Sequence, residues 1–141
     1  MPNPSPQGRR PNVFLDAIVI AHVAVALLHG AAHTGAGVGL TPAANAFVIV
    51  VVLLGPVIGL LMTSRARRAG AIVVAVTMTG AFLFGVVNHF LLPGDDHVNH
   101  VAAQWRTLFG TTAAFLALFE AGGAVYAMRL AMRYNPREVT S

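Results

Sequence analysis

A chain of 141 residues that is 56% hydrophobic and only 10% charged, with a mean hydropathy of +0.70, cannot be an ordinary water-soluble domain. Its formal charge of +4 would suggest nucleic acid in a soluble protein, but the arginines cluster between apolar runs, so they report membrane topology and no nucleic-acid partner is expected. The absence of cysteine excludes disulfides, thiolate metal sites, iron–sulfur clusters and covalently attached c-type haem, so any metal must be held by nitrogen and oxygen.

Residues 1–12 are polar and carry Pro2, Pro4, Pro6 and Pro11, and the expectation is a disordered cytoplasmic tail that lacks the apolar core and cleavage site of a signal peptide. Four apolar runs follow: Val13 to about Thr34, Pro42 to Met62, Ala69 to Leu92, and about Val98 to Met132. Each reaches the ~20 residues that a helix needs to cross a bilayer. The predicted fold is therefore an all-α integral membrane protein, a four-transmembrane-helix bundle over residues 13–134, with residues 135–141 as a second cytoplasmic tail.

Arg9 and Arg10 precede the first run, Arg65, Arg67 and Arg68 fill the turn after the second, and Arg129, Arg133 and Arg137 follow the fourth. Four crossings put all three clusters on one side, which the positive-inside rule assigns to the cytoplasm, with both termini inside. The expected location is the plasma membrane of a bacterium or archaeon. Trp105 and Arg106 mark the outer start of the fourth helix, and Tyr126 and Tyr134 the inner boundary. Asp16, at the inner rim, is expected to pair with Arg129 or Arg133. Gly55 and Gly59 have the GxxxG spacing of close helix contact, and Pro56 between them should kink the second helix unless neighbours absorb the freed carbonyl.

Topology converts sequence position into height. At ~1.5 Å per residue, His29 stands ~24 Å and His33 ~30 Å above Val13, and His89 reaches ~30 Å above Ala69, all near the outer surface. The outer loop Leu92-Pro93-Gly94-Asp95-Asp96-His97-Val98-Asn99-His100 adds two histidines and two aspartates at the same end. His22, His29 and His33 fall within ~40° of arc on the first helix, and His29 and His33 are one turn apart, the spacing by which two imidazoles share one metal. Asp95 or Asp96 is expected to cap the fourth helix, with His97 and His100 in its first turn. The predicted metal ligands are His29, His33, His89, His97, His100 and Asp96, with Asp96 also a candidate general base.

A second polar pair lies deeper. His22 and Glu120 both sit ~13 Å above the inner boundary and are predicted to meet, either as a packing hydrogen bond, as a proton relay feeding the outer site, or as an inner ligand pair. Thr77, Thr79, Thr111 and Thr112 could extend such a path, although hydroxyls in membrane helices more often bond the carbonyl of the preceding turn.

Mixed imidazole and carboxylate ligation suits zinc, non-haem iron or copper(II), as one ion or two, and the absence of methionine from the cluster weakens a copper(I) role. The leading reading is a membrane metalloprotein with an outer His/Asp site, an oxidoreductase acting on a lipid, a quinol or a small diffusible molecule. The alternative is a haem b electron carrier exchanging electrons with quinol. Its iron would lie between His29 and His89, Gly30 and Gly85 would admit the macrocycle, and Arg106 would bind a propionate. A third reading is a non-catalytic subunit, or a metal or proton transport element. A chain this short also leaves room for a homo-oligomer or a larger membrane complex around the site.

Overall fold

In the computed structural model, residues 12–134 are described; the two tails, with Arg9, Arg10 and Arg137, lie outside the described residues. The described residues are all helical and connecting segment, with no strand among them. Four helices are long and apolar enough to cross a bilayer: α1 (Val13–Ala36), α2 (Pro42–Met62), α3 (Arg67–Leu91) and α4 (Ala103–Arg133).

Each helix begins and ends for local reasons. Asn12 caps α1 by accepting the Leu15 N–H at 3.2 Å, and it also accepts the Tyr126 hydroxyl at 3.0 Å, which ties the start of α1 to α4. The other end of α1 closes on Gly37, the one described residue with a left-handed backbone (φ 71°), while the Val38 N–H reaches back to the His33 carbonyl at 3.0 Å. A glycine closes such a turn without Cβ strain, so the helix ends one turn after His33. Thr41 caps α2 through the Ala44 N–H, with Pro42 at the first helical position.

Pro56 lacks an N–H and its ring would press on the carbonyl one turn earlier. The residues before it, Val48–Leu54, widen into a π-helix, and the Gly55 N–H bonds the Val50 carbonyl, so the expected disturbance is absorbed as a local change of pitch. A second π-helical segment, Val87–Leu91, ends α3 and contains His89, and Pro93 prevents its continuation.

Packing order around the bundle is α1, α4, α3, α2: α4 lies along both α1 and α3, and α3 lies along α2. α1 and α2 meet along the Gly55–Met62 half of α2, whereas the Pro42–Phe47 end stands largely apart from α1. Close approach of α2 and α3 depends on small residues. A Cβ at Gly55 would strike the Thr77 side chain at 2.5 Å, and one at Gly70 would strike the Thr63 nitrogen at 2.5 Å and the Gly59 carbonyl at 2.6 Å. Backbone cannot retreat as a side-chain tip can. Gly70→Ala is therefore expected to destabilise the bundle by about 1–3 kcal/mol, read from its unfolding in detergent titrations, whereas Gly110→Ala, with open space around its Cβ, should not.

Leu15, Val19, Val74, Met78, Ala127 and Leu130 form the main apolar core, toward the end where α1 begins and α4 ends. A smaller core of Ala32, Val101 and Phe109 lies at the other end, under the 92–102 connection. Large apolar side chains such as Ile20, Leu27, Leu61, Leu118 and Met132 cover the outside of the bundle at 60–70% exposure, a surface suited to hydrocarbon rather than water.

Three expectations need correction here. α4 starts at Ala103 with no side-chain cap, so neither Asp95 nor Asp96 caps it and His97 and His100 are not in its first turn. The Pro93-Gly94 corner leads into consecutive turns, with the His97 N–H bonded to Gly94 and the His100 N–H to His97, and these postpone the helix. Asp16 makes no ion pair with Arg129 or Arg133 among the described residues.

Candidate metal centre

Three of the five histidines at the loop-rich end converge. His29 and His33 project from one face of α1, His89 comes from the π-turn of α3, and one ring nitrogen from each lies within 4.8 Å of the others. All three are buried, at 6%, 9% and 6% exposure. Phe109, fully buried on α4, packs against all three rings with centroid separations of 4.7–5.2 Å and closes the cluster on that side.

Hydrogen-bond partners constrain which nitrogens are free. The Thr112 hydroxyl lies 2.7 Å from the Leu108 carbonyl and 2.8 Å from His29 Nδ1, and its single proton can go to only one of them. With that proton on the carbonyl, as is usual for a hydroxyl on a membrane helix, the oxygen accepts from His29 Nδ1 and His29 carries its proton there. His89 Nδ1 lies 3.1 Å from the Asp96 backbone carbonyl, which has only lone pairs, so His89 also donates through Nδ1. In the neutral rings both Nε2 atoms are then bare lone pairs, and they face each other at 3.2 Å. Two lone pairs at that distance repel unless a cation lies between them. For metal–nitrogen bonds of ~2.0–2.1 Å, the donor-to-donor edge of a tetrahedron is ~3.3 Å, close to the spacing seen.

The remaining polar atoms carry the same sign. His33 Nδ1 is buried without a hydrogen-bond partner. Asp96 Oδ1 lies 3.1 Å from His89 Nδ1 and 3.3 Å from His33 Nε2 but accepts an aligned hydrogen bond from neither. Buried polar atoms are rarely left unsatisfied, and an orphaned carboxylate oxygen beside two imidazoles fits a cation site. The residues present thus fit a metal ion held by His29, His33 and His89, with Asp96 as a neighbouring oxygen donor and Thr112 and the Asp96 carbonyl orienting two of the rings.

The 92–102 connection is fastened to this centre at two points, since the Val98 N–H bonds the His89 carbonyl at 3.0 Å while His89 Nδ1 bonds Asp96. It carries the other two predicted ligands elsewhere. His100 Nδ1 bonds the Gly94 carbonyl at 2.7 Å on the exposed surface, and His97 Nδ1 accepts the Asn99 N–H, with the two rings 5.3 Å apart. Neither joins the three-histidine cluster. Arg106, expected at a haem propionate, donates to the Asn99 and Val101 carbonyls of the same loop. Axial haem ligands stand on opposite faces of a macrocycle with donor atoms ~4 Å apart. His29 and His89 instead meet edge-on, 3.2 Å apart with ring planes at 73°, and leave no slot for a macrocycle between them.

The deeper pair is present: His22 Nε2 lies 3.2 Å from Glu120 Oε1, with His22 fully buried and Glu120 3% exposed. Thr77 and Thr79 bond the carbonyls of the preceding turn and extend no path. A cavity of about 330 Å³ joins the two polar levels, bordered at one end by the histidines and Asp96 and at the other by Glu120, with Val48, Val52, Phe84 and Leu116 among its apolar walls. Exposed Gly30, Thr34 and Asn45 edge it on the side where α1 and α2 part. Sequence reasoning missed Phe109, whose only signal was an aromatic three residues before Thr112 on the same helix, and it missed the cavity.

Thr112→Val keeps the shape of the side chain but removes the acceptor that orients His29. The expected result is a 10- to 100-fold weaker metal affinity with the fold unchanged, measured by competition with a chromophoric chelator; an unchanged affinity would mean that His29 needs no such support. Compared with protein families, curated proteins and solved structures, the chain finds no match.

Proposed function

We propose that this chain is a membrane-spanning metalloprotein, inserted as four crossings with both termini in the cytoplasm, whose His29, His33 and His89 hold one divalent ion at the non-cytoplasmic end. The observation that carries the reading is the facing pair of Nε2 atoms at 3.2 Å, with His89 Nδ1 donating to the Asp96 carbonyl and His29 Nδ1 held by Thr112. Arg65, Arg67, Arg68, Arg129 and Arg133 at the opposite end support the orientation.

Imidazoles with one carboxylate suit zinc, iron(II) or copper(II). Such an ion, when bound, supplies a Lewis acid or a redox centre beside the cavity. The protein's own groups do the rest. Thr112 and the Asp96 carbonyl hold two rings in the ligating tautomer, Phe109 shields the far side from water, and the Asp96 carboxylate lines the cavity beside the histidines as a proton acceptor. With its opening between two helices whose outer faces are apolar, the site favours a bilayer-soluble or small substrate, and oxidation or reduction of that substrate is the chemistry proposed.

Elemental analysis of protein purified from membranes without chelators tests the reading. One iron or copper per chain supports the oxidoreductase, one zinc supports the metal site but moves the chemistry to a Lewis acid, and no metal above background, together with no uptake on reconstitution, would overturn it.

A further inference from the structure

Glu120 is set as the floor of the cavity. Its Oε1 is engaged by His22, and its Oε2 is directed to the cavity side, since a methyl group built on Gly85 would lie 3.9 Å from Glu120 Oε2 and 3.9 Å from His89 Cδ2. A side chain at Gly85 would touch both the carboxylate and the His89 ring, so its absence leaves the space between them open. Between them the walls are apolar, and the opening lies where α1 and α2 separate, beside exposed Gly30, Thr34 and Asn45, in a bundle whose outside is covered by large apolar side chains.

From this we infer that the cavity is the binding site for the hydroxyl-bearing headgroup of a molecule dissolved in the bilayer, which enters between α1 and α2 and makes a hydrogen bond with Glu120 beneath the histidine cluster. A hydroxyl both donates and accepts, so it can meet Glu120 Oε2 in either protonation state of the carboxyl group, and a hydrocarbon tail alone leaves Glu120 without a partner on that side. Apolar walls with a few convergent polar atoms are the usual makeup of a small-ligand site, and about 330 Å³ admits a compact ring or a short polar head while the tail remains between the helices. His22 orients the carboxylate from behind, and its fully buried ring excludes water from that side. The inference rests on the proposed membrane metal site, because it names the substrate class of that site.

The test uses the full chain in lipid nanodiscs, loaded with cobalt(II) and titrated with decyl hydroquinone and, separately, with 1-decanol, with protein-free discs subtracted. Saturable binding is expected. Binding of the hydroquinone alone identifies a phenolic head and binding of both an alcohol head in general, and either supports the proposal. Glu120→Gln should weaken binding about 10- to 100-fold while retaining cobalt. Gly85→Val should abolish binding while retaining cobalt, with Gly85→Ala intermediate, the retained cobalt showing that both variants are folded. Saturable binding unaffected by Glu120→Gln and Gly85→Val, or no saturable binding to cobalt-loaded wild type, overturns the inference and leaves the metal site standing. Binding that depends on Glu120 in protein that takes up no cobalt supports the inference and overturns the metal site. Absence of both overturns both.

Discussion

Alanine at His29 or at His89 is expected to remove the metal, lowering the stoichiometry from about one ion per chain to background and the affinity by more than the 10- to 100-fold typical of losing an orienting partner. These two rings supply the facing Nε2 pair, and Phe109 occupies the opposite side of the cluster. His97→Ala and His100→Ala should leave metal content unchanged, because their rings belong to the exposed loop. Metal retained in His29→Ala and lost in His100→Ala would relocate the site to that loop.

The second large effect concerns stability. His22→Ala removes the partner of a carboxyl group that is 3% exposed and leaves a gap beside it, and breaking a buried pair from one side costs about 3–5 kcal/mol. Glu120→Gln keeps an oxygen acceptor for His22 Nε2 and should cost only about 1 kcal/mol. Replacing both by leucine should recover much of the loss, because it removes the buried polar atoms together with their need for each other. Unfolding free energies in mixed detergent micelles check all three, and a cost for His22→Ala no larger than that for Glu120→Gln would show that the pair contributes little to holding α1 against α4.

What could be read before any coordinates were seen was what regular helix geometry carries. Rise per residue alone puts His22 level with Glu120, and the 100° step puts His22, His29 and His33 on one stripe; the structure places the first two 3.2 Å apart and buries all three histidines of the stripe. Four apolar runs became four helices with ends within a few residues of the expected ones, except where α4 starts late. The misreadings lie where that geometry stops. Between Leu92 and Ala102 the chain is a series of turns, so its height and facing cannot be counted off by rise. This hid the bonding of His97 and His100 within the loop itself. The π-turn that aims His89 changes the angular step locally. The cavity depends on α1 and α2 standing apart at one end, a property of pairwise packing that no single segment encodes.

X-ray absorption at the edge of the bound metal examines the centre itself. Three imidazole nitrogens at ~2.0–2.1 Å, with the multiple scattering of ordered rings and one or more oxygens beside them, are predicted for protein loaded to one ion per chain. A shell of oxygens alone, or a single imidazole, would contradict the three-histidine centre on which the functional reading stands.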